Sequence, residues 1–191
     1  MGEVRTQWDR LVSVLQQRRA HSTLAAIAPA LPEDQVAGVL DASNGVRCRR
    51  VYGDLSEWLS CHNGFFDGQW ARLFPDLDLL SAAQIAQIWS MMLSTHPAPS
   101  GYPLYSGPPA YGFIRQYVPI AERDGYLWVV DGRPGESTHS VIAFDKVDAD
   151  DDATTWPSIG ALLADVATAI DTGEAFDGST PTIENGELTW R

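Results

Sequence analysis

Residues 118–131 read VPIAERDGYLWVVD, two apolar runs on either side of Asp124-Gly125. Asp-Gly between strand-forming runs suits a tight turn whose central residues take positive φ, so the stretch predicts a hairpin of Tyr117–Ala121 and Tyr126–Val130. Two further turn signals, Asp131-Gly132 and Pro134-Gly135, lead into a third run at Ser140–Asp145. Three antiparallel strands in sequence make a meander. Leu127, Trp128, Val129 and Val130 are apolar on both faces, which places their strand centrally with helices covering it.

Helix signals flank the meander. Ser81 with Gln84 forms a capping box, and Ile85, Ile88, Trp89 and Met92 keep helical spacing behind it. Ser158 caps a helix carrying Ile159, Leu162, Leu163, Val166 and Ile170, closed by Gly173. An opening helix is predicted from Trp8, Leu11, Val12 and Leu15. A second starts at Pro32-Glu33-Asp34 and stops at Asn44-Gly45. A third has Asp54 as N-cap, Glu57 in its first turn and Asn63-Gly64 as its end. Helices, then strands, then a helix describe an α+β fold in one domain spanning 1–191. Its parts are a helical segment to residue 50, a loop over 95–112 and a tail over 174–191.

A chain of 191 residues hides roughly 70% of its unfolded surface on folding, enough for stability without disulfides or metal. The formal charge of −12 repels phosphate backbones and anionic membranes, so the expectation is no nucleic acid and no membrane among its partners. The first 50 residues hold seven Arg against five acids, so a surplus of +2 there leaves −14 on residues 51–191. Such a surface steers basic proteins, and it also serves plain solubility. Cys48 and Cys61 are too few for a disulfide framework, no apolar run approaches a membrane span, and the charged first ten residues lack a secretory core. The expected location is the cytoplasm.

The sequence holds fragments of catalytic and metal signatures but none complete. Cys61-His62 sets a nucleophile beside a base, but adjacent helical side chains diverge, and a buried Cys with a capping-region His accounts for the pair. Asp148, Asp150 and Asp152 match the first half of a calcium loop, D-x-D-x-D. Ala153 then stands where Gly is needed and Ile159 where a bidentate Glu is needed. His21, His62, His96 and His139 have no ligand spacing, and the phosphate-loop, dinucleotide and nucleophile-elbow motifs are absent. The reading is of a protein with no catalytic residue, cofactor or metal. The alternatives are a small-molecule or cell-wall-related enzyme using Cys61, His62 or His139, and a structural scaffold subunit.

Several segments taken in order resemble one family. They are the Trp8 helix, LSEWLSCHNG at 55–64, LFPDLDLL at 73–80 with the Ser81-capped helix, VPIAERDGYLWVVD, SVIAFD at 140–145 and WPSIGALLADVATAI at 156–170. The ordered set resembles the SUKH superfamily, in the branch that includes the fungal cell-wall assembly and cell-proliferation coordinating regulators. The resemblance covers nearly the whole chain. It implies a mixed, mostly antiparallel sheet packed against helices, and a non-catalytic role in binding a partner protein. Bacterial members commonly serve as immunity proteins that neutralise toxins, often nucleases, and fungal members as regulatory scaffolds. A basic toxin domain would suit the acidic surface. The expected contacts are Asp148, Asp150, Asp151 and Asp152, with Tyr102, Tyr105 and Tyr111 as aromatic anchors from the loop of five prolines and three glycines over 95–112.

Overall fold

The computed structural model describes residues 2–32, 35–36, 49–69, 71–151 and 153–191. Helix α1 (Glu3–Gln17) buries Val4, Trp8, Leu11, Val14 and Leu15, the stripe its spacing dictates. A short helix α2 (His21–Ala26) follows without a side-chain cap, which is why no start signal announces it. Of the predicted second helix, Gln35 and Val36 are helical, with Val36 N–H bonded to the Pro32 carbonyl at 3.1 Å. The rest of that segment lies outside the described residues.

Helix α3 (Arg49–Leu59) begins earlier than the sequence suggests. Asp54 is therefore inside the helix, where the following N–H groups already have carbonyl partners, and it cannot act as the N-cap. Its carboxylate instead faces His139 Nδ1 at 3.3 Å. Past α3, the 61–64 turn joins the next layer. Asn63 Oδ1 accepts the Ala82 N–H at 2.9 Å, and Gly64, at φ 72°, lies so close to the chain that a Cβ would meet Ser81 N at 2.5 Å.

The sheet runs β1 (Asp78–Leu79), β2 (Tyr117–Arg123), β3 (Tyr126–Asp131), β4 (Val141–Asp145) and β5 (Thr155–Trp156), in that spatial order, with every pair antiparallel. The meander is as expected, with Asp124 (φ 54°) and Gly125 (φ 90°) at its first turn. Strand β3 lies at the centre and is buried from Leu127 to Asp131. Trp128 meets Phe74, Trp156 and Phe176 at 4.8–6.0 Å between ring centres, while Phe144 and Tyr117 meet Phe113 at 5.5 and 6.0 Å. Two aromatic clusters thus anchor the flanking segments to the sheet.

Helix α4 (Ala82–Thr95) has both halves of its capping box and packs on β2. Helix α5 (Ile159–Thr172) is capped by Ser158, ends at Gly173 in the left-handed region and packs along α1. Residues 174–191, read from the sequence as a tail, instead form a hairpin, β6 (Pro181–Glu184) and β7 (Glu187–Trp190), around Asn185-Gly186. Thr23 Oγ1 accepts the Leu188 N–H at 2.8 Å and Trp190 Nε1 donates to the Arg72 carbonyl at 3.0 Å, so the hairpin is tied to the body of the domain. Among the described residues, no helix is long and apolar enough to cross a membrane.

Candidate partner interface

The loop after α4 has the Pro and Gly content that bars regular structure, so its backbone polar groups need other partners. At its ends, Ala98 and Phe113 are linked by N–H to carbonyl bonds, Ala98 to Phe113 at 3.0 Å and Phe113 to His96 at 2.7 Å. Midway, Ser106 N–H reaches the Pro134 carbonyl at 2.9 Å, and Arg133 Nη1 donates to the Pro103 carbonyl at 3.1 Å. Near its end, Asp150 takes over. One carboxylate oxygen accepts the Ala110 N–H at 2.6 Å and the Tyr117 hydroxyl at 2.5 Å, and the other accepts the Tyr111 N–H at 2.7 Å.

Behind Asp150 the network continues into the core. Tyr117 Oη accepts from Arg133 Nη2 at 3.1 Å, and Arg133 is paired with Asp131 at 2.8 Å with neither side chain reaching solvent. The guanidinium also sits 5.4 Å over the Tyr117 ring. Burial, and then the Asp150 hydrogen bond, push the Tyr117 phenol far above its ordinary range, so it stays a donor. Burial works to lower the Arg133 pKa, but the Asp131 hydrogen bond overrides it and the group remains charged. Opposite charges inside the domain are thus paired and hydrogen-bonded, the condition under which buried charge is tolerated.

This arrangement joins the two sequence-predicted regions. Tyr105 and Tyr111 are 59% and 57% exposed, with Leu104 also on the surface, and Asp148 and Asp151 are exposed on the turn that Asp150 belongs to. Tyr111 is held at φ 57°, a conformation costly for a bulky residue, by the bond from its own N–H to Asp150. Asp150 is buried, with both carboxylate oxygens turned inward to the loop and Tyr117, so it is not placed to contact a partner. Tyr102 is half-buried against the core, and Asp152 lies outside the described residues. Sequence reading missed Asp131, Arg133 and Tyr117 as supports. An acid and a base two residues apart at the end of β3, Asp131 and Arg133, were the available signal.

The residues of the enzymatic alternative do not converge. His62 is fully buried between Trp8 and Trp58, its Nδ1 accepts the Gly64 N–H at 3.0 Å, and burial lowers its pKa to about 3. The Cys61 thiol is pushed up to about 11, chiefly by burial, against the opposing charge of Arg5. His139 lies elsewhere, beside Asp54 on a cavity of about 530 Å³ that Glu3, Glu136, Ser137 and Ser158 also line and that neither Cys61 nor His62 reaches. Among the described residues, no three His, Cys, Asp or Glu side chains are grouped to hold a metal ion. In comparisons with known proteins, the chain matches no family model, and a search of curated proteins finds no significant relative.

Proposed function

We propose that the protein is a binding module that docks a partner protein on the tyrosine loop and the adjacent acidic turn. The observation that carries this reading is the pinned loop: Asp150 holds the exposed Tyr111, bonds at Pro103 and Ser106 hold the chain on either side of the exposed Tyr105, and Asp148 and Asp151 are exposed on the turn that carries Asp150. A rigid aromatic anchor loses little entropy on binding, and exposed carboxylates next to it favour a basic partner through association rate. The surface charge after residue 50 and the resemblance to SUKH proteins support an immunity-type or regulatory role, with a basic toxin domain as the partner. Neither needs a catalytic residue.

The test is retention of a native-host partner on immobilised protein at low and high salt. We expect Tyr105→Ser with Tyr111→Ser to abolish retention, and Asp148→Asn with Asp151→Asn to weaken it at low salt only. Retention indifferent to both pairs of substitutions would overturn the reading. A catalytic reading draws on one observation, the His139–Asp54 contact at the mouth of a cavity lined by Ser137 and Glu136. Turnover of any ester or glycoside that His139→Ala abolishes would favour it.

A further inference from the structure

Two tight turns converge above the sheet. Phe74–Leu77 and Phe176–Ser179 are each closed by an antiparallel bridge, and each sends its phenylalanine onto Trp128. Each also carries an aspartate in the left-handed region, Asp76 at φ 52° and Asp177 at φ 47°. Between them, and bounded by Tyr126 and Asp145, is a cleft of about 330 Å³ whose floor is Leu77, Leu127 and Trp128. Three carboxylates surround this apolar floor, and they are unequally served. Arg123, paired with Asp78 at 2.7 Å, also acts on Asp76, and Asp145 has the nearby charge of Lys146 and a hydrogen bond from the Tyr126 hydroxyl. Among the described residues no hydrogen bond or ion pair holds the Asp177 carboxylate, and burial alone raises its pKa above the ordinary 3.8.

We infer that this cleft receives an arginine side chain of the partner protein, an inference that rests on the proposed docking role. Three features favour arginine. A planar guanidinium engages two carboxylates at once and stacks on an aromatic face such as Tyr126, whereas an ammonium is a point charge that satisfies one. The aliphatic stem of arginine can lie on the apolar floor while its head stays among the acids. Asp145 also ties the cleft to the acidic turn, because its Oδ1 accepts the Val147 and Asp148 N–H groups at the start of that turn. Anionic ligands are repelled from the same place.

The experiment titrates the capped peptide acetyl-Gly-Arg-Gly-amide into the full ¹⁵N-labelled chain, beside the same peptide with neutral citrulline in place of arginine. Expected are saturable shifts at the amides of Leu77, Leu127, Ala143 and Gly178, with the citrulline peptide at least about tenfold weaker. Asp76→Asn with Asp177→Asn should weaken the arginine peptide by a similar factor. Asparagine tolerates left-handed backbone, and an otherwise unchanged spectrum certifies the fold. Equal binding of citrulline, shifts confined to other surfaces, or no effect of the double substitution would each overturn the inference. Tyr105→Ser with Tyr111→Ser should leave this titration unchanged while abolishing partner retention. Failure of the peptide titration with partner retention intact therefore removes the arginine cleft alone, and the converse removes the docking reading alone.

Discussion

Replacing Asp150 by asparagine preserves shape but leaves one acceptor oxygen where three donors converge. If that oxygen keeps the Ala110 N–H and Tyr117 hydroxyl, the new amide group meets the Tyr111 N–H donor to donor. Two bonds then lose their charge assistance, at about 1 kcal/mol each, and one is lost outright for about 1 kcal/mol more, giving about 3 kcal/mol in total. Asp150→Ala strands all three donors and should cost about 4–5 kcal/mol. Urea unfolding at pH 7 measures both, read as midpoint at unchanged slope. Amide hydrogen exchange locates the effect, which should be concentrated at Ala110 and Tyr111 before any global opening. Affinity for the proposed partner should fall as well, because Tyr111 is no longer held. An unchanged midpoint, or a lower midpoint with Ala110 and Tyr111 still protected, would refute the clamp.

Three further outcomes are expected. His62 has a folded-state pKa of about 3 against 6.5 when exposed, so the unfolded chain takes up a proton that the folded one refuses. Stability complete above pH 6.5 should decline toward pH 3 by up to about 1.4 kcal/mol per pH unit from this group, and His62→Gln should remove that slope in urea midpoints taken from pH 7 to 4. Gly64→Ala should cost about 3 kcal/mol in thermal unfolding, since its φ disfavours a side chain and the new Cβ would meet backbone at Ser81 and Leu80; an unchanged Tm would contradict that close approach. In a Cys48→Ser background, Cys61, with its thiol at about 11, should alkylate more slowly at pH 7.5 than a small free thiol and accelerate only in alkaline solution. Rapid labelling at neutral pH would reopen thiol chemistry.

The elements legible in the sequence were those whose signals are local. The Asp124-Gly125 turn, the Ser81 capping box and the Ser158–Gly173 helix each depend on residues within a few positions of one another, and each is present as expected. Asp54 has the chemistry of a cap, but whether it caps depends on where α3 starts, and α3 starts five residues upstream at Arg49. The C-terminal hairpin was readable in principle, because Asn185-Gly186 is a strong turn signal between the four-residue strands β6 and β7. Strands β1 and β5, with two residues each, have no periodicity to read. At the candidate interface, the tyrosines and aspartates were visible as residue types. That Asp150 turns inward while Asp148 and Asp151 remain outside follows from contacts made 33 to 40 positions away, which no local pattern encodes.

The shortness of β1 and β5 has its own effect on how this molecule meets others. A sheet flanked by two-residue borders offers an incoming chain very few main-chain donors and acceptors in register, too few to template an added strand. Backbone zippering onto the meander is thereby closed off, both to a legitimate ligand and to a second copy in a crowded or heat-stressed solution. Recognition at this sheet is left to side chains, which can change by point substitution without disturbing the frame.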